Sequence, residues 1–120
     1  ALPAGMDKLG ALEVLDLKQN VLNETIPLGF GNLTNLTHLD VSSNQLSGVL
    51  PSVLAKLSSL ATLAVDSNSP LGGSIPPQFA SLVSLQSFSA SYTKLEGNLP
   101  PDVVSLPNLI NLNMEAASMV

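Results

Sequence analysis

No cysteine, no tryptophan and no arginine occur in this chain, and aromatic side chains make up only 3% of it. Without cysteine there is no disulfide framework and no thiolate chemistry. So few aromatics leave the core to aliphatic side chains. Charge is scarce too: 11% of residues are charged, with four lysines against nine carboxylates and a net charge of −5. A nucleic-acid surface needs a basic stripe, and an anionic membrane attracts cationic segments. Neither partner fits this balance. No apolar run approaches the roughly 18 residues of a membrane span, so no direct membrane insertion is expected of this segment. The opening ALPAGMDKLG lacks a basic flank followed by an apolar stretch, so no secretion signal is read within it.

What the chain has instead is a period. Leu12, Leu15, Leu17, Asn20 and Ile26-Pro27 return 24 residues later as Leu36, Leu39, Val41, Asn44 and Leu50-Pro51. They return as Leu60, Leu63, Val65, Asn68 and Ile75-Pro76, and then as Leu85, Phe88, Ala90, Thr93 and Leu99-Pro100. A fifth copy holds Leu109, Leu112 and Met114, and Leu2-Pro3 reads as the tail of a sixth. A fixed period of roughly 20–29 residues with this leucine spacing predicts a solenoid, in which each unit touches only its neighbours. Residues 1–120 are therefore expected to form one domain of about five repeats, without visible caps and cut from a longer array.

Within LTHLDVSSNQLSGVLP, Leu39 and Val41 flank Asp40, the alternation of a strand with one buried face. Inner parallel strands are expected to centre on Leu15-Leu17, Leu39-Val41, Leu63-Val65, Phe88-Ala90 and Leu112-Met114. Asn20, Asn44 and Asn68 follow the strands, where an amide side chain can satisfy turning backbone; stacked, they predict an internal ladder. Pro51 suits the start of a short helical turn. Met6, Phe30, Leu54, Phe79 and Val103 predict a second buried column on the outer side. Two departures stand out: Ser69-Pro70 adds one residue to the third repeat, and Thr93 replaces the ladder asparagine in the fourth.

The stretch LTNLTHLDVSSNQLSGVLPSVLAKL resembles a plant-type leucine-rich repeat, and LGGSIPPQFASL and LEGNLPPDVVSL repeat its xLxGxIP segment. The resemblance runs from Leu2 to Met119. It implies an α/β class, right-handed solenoid with a parallel inner sheet, short 3-10 or helical outer turns, and a second small sheet from the LxGxIP segment. It extends to receptor-like kinases, receptor-like proteins and polygalacturonase-inhibiting proteins, and so implies an extracellular or cell-surface chain. The partner it implies is a protein, a peptide or a glycan.

On the inner strands the outward residues fall into columns. One reads Val14, His38, Thr62, Ser87, Asn111, and the next Asp16, Asp40, Ala64, Ser89, Asn113. A third reads Lys18, Ser42, Asp66, Ser91, Glu115, and a fourth Gln19, Ser43, Ser67, Tyr92, Ala116. Asp16, Lys18, His38, Asp40, Asp66 and Tyr92 interrupt a surface of small residues and form the expected ligand-binding set. Asp16 and Asp40 should be lateral neighbours, mildly repulsive until a cation or basic side chain approaches. A lone histidine near two carboxylates also admits a catalytic or metal reading, but no nucleophile–base–acid set, phosphate loop or metal-spaced cluster accompanies it. No enzyme, cofactor or metal is expected.

Asn23-Glu24-Thr25, Asn32-Leu33-Thr34 and Asn35-Leu36-Thr37 are acceptor triplets for N-glycosylation. About two would arise by chance at this composition, so their placement at turns matters more than their number. The leading function is a non-catalytic binding module. The alternatives are a structural or accessory subunit docking through open repeat ends, and an ice-binding surface built on inner-strand Ser and Thr.

Overall fold

A computed structural model describes Gly5 and residues 8–119 of the chain. Leu2-Pro3 and Met6 lie outside the described residues. Five three-residue strands, β1 (Val14–Asp16), β2 (His38–Asp40), β4 (Thr62–Ala64), β6 (Ser87–Ser89) and β8 (Asn111–Asn113), form one parallel sheet in sequence order. A second parallel sheet runs along the flank: β3 (Gly48–Val49), β5 (Leu71–Gly73), β7 (Lys94–Gly97) and β9 (Ser118–Met119). The outer side holds 3-10 turns at Leu28–Asn32, Ser52–Lys56 and Pro77–Ser81, and one short helix, α1 (Pro101–Val104). Each of these begins directly after a proline in extended conformation, which sets φ for the first turn and has no amide to leave unpaired.

The inner strands sit one residue earlier than the alternation suggests. Their backbone bonding nevertheless continues past the named spans: Leu17 N donates to Asp40 O, Val41 N to Ala64 O, Val65 N to Ser89 O and Ala90 N to Asn113 O. It ends at Gln19, Ser43, Ser67, Tyr92 and Ala116, all with φ of 56–59°. In this left-handed region an L-residue other than Gly or Asn costs about 1–2 kcal/mol. The chain accepts that because the ladder must stop and turn at the same point in every coil.

Between the sheets and the outer turns runs one apolar core. Leu36, Leu60 and Leu85 are fully buried, as are Leu39, Leu63 and Phe88 beside them. Phe30, Leu54, Phe79 and Val103 form the second column behind, and the Phe79 and Phe88 rings meet edge-on at 6.0 Å. Flank packing depends on glycine at two close contacts. A Cβ at Gly48 would lie 2.9 Å from Thr25 Cγ2, and one at Gly73 2.7 Å from Val49 Cγ1; both glycines have φ of +75°.

The asparagine ladder connects successive coils. Asn68 is fully buried. Its Oδ1 accepts from Leu46 N at 3.1 Å, and its Nδ2 donates to Val41 O, Val65 O and Asp66 O at 2.9–3.2 Å. Asn44 repeats this toward Leu22 N and Leu17 O. Asn20 bonds only Leu17 O and Lys18 O of its own turn and is exposed, so the ladder's first rung is not internal.

The two sequence departures are linked. With Ser69-Pro70 inserted, Leu71 N turns back onto Asn68 O at 2.9 Å, whereas Leu22 N and Leu46 N each need the next repeat's asparagine. Repeat four then needs no acceptor directed backward, and Thr93 suffices: its hydroxyl donates to Ala90 O and accepts from Leu95 N, both in its own turn. Asn68→Ala is therefore expected to destabilise by about 1–3 kcal/mol, leaving buried groups of two repeats unpaired. Thr93→Ala should cost less, roughly 1 kcal/mol. Urea unfolding of both variants checks the order; equal costs would defeat the coupling.

Candidate functional site

The inner sheet presents its outward side chains in strict register. Val14, His38, Thr62, Ser87 and Asn111 are laterally paired across the five strands, and so are Asp16, Asp40, Ala64, Ser89 and Asn113. Strands lie about 4.8 Å apart, so Asp16 and Asp40 are immediate neighbours. Both turn partly to their own backbone: Asp16 Oδ1 accepts from Lys18 N at 3.2 Å and Asp40 Oδ1 from Ser42 N at 2.9 Å. Lys18 Nζ lies 3.6 Å from Asp16 Oδ2, with both side chains open to water. Such a pair contributes little to stability, but it leaves Asp40 without a bonded cation among the described residues. His38 is half-buried on the same strand as Asp40.

Asp66 differs from the other two carboxylates. The position before its turn is Ala64, which cannot cap, and in the next repeat that register holds Ser89, whose hydroxyl turns toward Asp66 Oδ1. The same oxygen accepts from Ser91 N at 2.7 Å. Thus Asp66 caps the neighbouring coil, a role that Asp16 and Asp40 each perform within their own. Ser91 is buried rather than outward, its hydroxyl donating to Asn113 Oδ1 at 2.8 Å and accepting from Glu115 N at 3.2 Å. One oxygen of Asp66 is committed to the fold, and only the other is left for a ligand.

Tyr92 is 53% exposed, and its lateral neighbours in register are Ser67 and Ala116. Its backbone has a φ of 57°. Bulky residues in this region are outliers, and such strain concentrates at functional positions. The alternation in the sequence identified the outward face but carried no sign of the left-handed backbone. Asp16, Lys18, His38 and Asp40 thus gather on the first two strands. Asp66 and Tyr92 follow just past the ends of the next two strands. Among the described residues no group of three or more His, Cys, Asp or Glu could hold a metal ion.

The acceptor asparagines divide in two. Asn23 and Asn32 are exposed. Asn35 is exposed as well, but its Nδ2 donates to Gly10 O at 2.7 Å. Asn108 makes the same bond to Val83 O at 2.9 Å and lies in no acceptor triplet.

The family model described as leucine rich repeat matches residues 10–69. No curated protein matches the chain. Among solved structures, a plant peptide hormone receptor, RGFR1 in complex with RGF2, is 33% identical over 98% of this chain and 19% of its own, with a TM-score of 0.94. The ectodomain of the Arabidopsis receptor kinase HAESA, in complex with an extended IDA peptide hormone, is 30% identical over 98% of this chain and 20% of its own, at 0.92. A plant ice-binding protein is 26% identical over 94% of this chain and 36% of its own, at 0.83. The chain thus spans about a fifth of the two receptors' length.

Tyr92→Asn is expected to raise stability by about 1 kcal/mol, since asparagine tolerates the left-handed region. Thermal or urea unfolding reads this directly. A destabilised variant would mean that the ring packs on the sheet instead of standing free for a partner.

Proposed function

The chain belongs to the leucine-rich repeat family, and from that membership we propose that it is a non-catalytic binding module recognising a protein or peptide, or a glycan, through its inner sheet. The observation that supports this reading is the lateral register of that sheet, in which Asp16 and Asp40 are paired and His38 lies beside Val14 and Thr62; Lys18, Asp66 and Tyr92, just past the strand ends, are taken as part of the same face. A fixed array of side chains loses little entropy on binding. The receptor ectodomains that resemble it bind peptide hormones, which supports a peptide as the first partner to test.

The same likeness supports an extracellular or cell-surface location, where glycan at Asn23, Asn32 or Asn35 becomes available. No helix of the described residues is long and apolar enough to cross a membrane. A second reading is a structural subunit that docks through the ends of the stack. Co-purification in a fixed complex would favour it. An ice-matching surface fits less well, because His38 and Val14 interrupt the column of Thr62 and Ser87, and Ser91 is buried.

A peptide-display library selected on the immobilised chain tests the leading reading. Selected peptides are expected to be neutral or basic, given the carboxylates of the face, and to bind more weakly as salt rises. The Asp40→Ala/Tyr92→Ala variant should fold normally and lose affinity on the order of tenfold or more. Unchanged affinity, with binding mapped to the outer turns, would show the sheet to be scaffold alone.

A further inference from the structure

The flank of the coil holds a groove that inner-sheet binding leaves unused. It has a volume of about 610 Å³, and Thr25, Leu28, Val49, Pro51, Val53 and Pro76 are among the residues lining it, with no charged side chain. Leu28 and Val49 are 69% and 58% exposed, so apolar walls stand open to water. This character is local to the first two repeats. At the registers of Val49 and Val53 the third repeat has Ser74 and Gln78, and the fourth has Asn98 and Asp102.

The first repeat departs from the others at the same place in two further respects. Glu24 stands where Gly48, Gly73 and Gly97 adopt positive φ, and Glu24 does not. The flank strand there shrinks to a single bridge from Thr25 to Ser47. Immediately before it, exposed Asn23 opens the triplet Asn23-Glu24-Thr25, and Thr25 lines the groove. Two residues span at most about 7 Å, so the Asn23 backbone lies close to the groove's edge.

We propose that Asn23 is N-glycosylated and that the first N-acetylglucosamine units of its glycan lie along this groove, with their apolar ring faces over Leu28 and Val49. The proposal rests on the secretory location argued above. In the transfer step Asn23 Nδ2 bonds the anomeric carbon of a lipid-linked oligosaccharide diphosphate. The bond from that carbon to the phosphate oxygen breaks, the lipid diphosphate leaves with the electron pair, and the transferase base takes the amide proton. A pyranose ring has a C–H face and a hydroxylated rim, so it removes Leu28 and Val49 from water while keeping its polar groups solvated. Asn35 serves differently. Its amide ties one coil to the last, as Asn108 does outside any acceptor triplet, and packing alone accounts for its presence.

The test expresses the 120-residue chain behind a secretion signal in insect cells and reads glycan occupancy by mass spectrometry. Amide hydrogen exchange is then compared between the glycosylated chain, the chain trimmed to one N-acetylglucosamine, and Asn23→Asp as the bare reference. Exchange at Leu50, Ser52 and Val53 is expected to be slower by about threefold or more in both sugar-bearing forms. The Leu28→Ser/Val49→Ser variant copies residues that other repeats hold at those registers, Ser52 and Ser74, so it should fold, keep the glycan and lose the protection. Asn23 bare while Asn32 is occupied, or Asn23 occupied with exchange unchanged, overturns the proposal and leaves the secretory reading intact. Protein from its natural source with all three asparagines bare overturns both.

Discussion

Every coil of this protein must end a parallel strand and turn while its backbone carbonyls and amides face an aliphatic interior. Unpaired, each buried group would cost about 1–3 kcal/mol. The asparagine after the turn resolves this with one side chain, since its amide both donates and accepts. At Asn44 and Asn68 the bonds reach into the preceding repeat as well as their own. Satisfying the turn and fixing the stacking register are therefore the same interaction. Because the register is fixed, outward residues align laterally, and a solvent face becomes an ordered array.

The irregular repeats show how that constraint bends. A one-residue insertion at Ser69-Pro70 supplies Leu71 N with its own backbone acceptor, and the following ladder position relaxes to threonine. On the solvent side, losing the aspartate at the register of Ala64 and Ser89 brings Asp66 across to cap Ser91 N. Each substitution that removes a partner sits beside one that restores it. The third and fourth repeats thus exchange the inter-coil bonds of the ladder for local ones, and gain a cap between coils at Asp66 in place of a local one.

The period, the inner strands, the buried columns at Leu39 and Phe79, and the lateral pairing of Asp16 with Asp40 were legible in the sequence. All follow from alternation and spacing, which act within a repeat. What escaped was set between repeats. Ser91 belongs to an outward column by parity, yet the neighbouring Asp66 and Asn113 draw it inside. Asn20 matches Asn44 letter for letter but is exposed. The bond from Asn35 to Gly10 O of the preceding coil has no mark in the acceptor triplet. The flank groove has no motif, because it is made of side chains from three repeats, Thr25 to Pro76, that the coil brings together.

The two surfaces differ in what the fold demands of them. On the inner face the strand ladder dictates backbone at every position, so the fold restricts a residue only where it must cap a turn or enter the left-handed region. Asp16, Asp40 and Asp66 each cap one amide through Oδ1, so the turn already accounts for a carboxylate at these positions. Tyr92 is the exception. It occupies a strained backbone position where serine, glutamine and alanine serve in the other repeats, makes no side-chain hydrogen bond among the described residues, and leaves half its area in water. The turn itself takes the same backbone with serine, glutamine or alanine, so the left-handed position does not select the tyrosine.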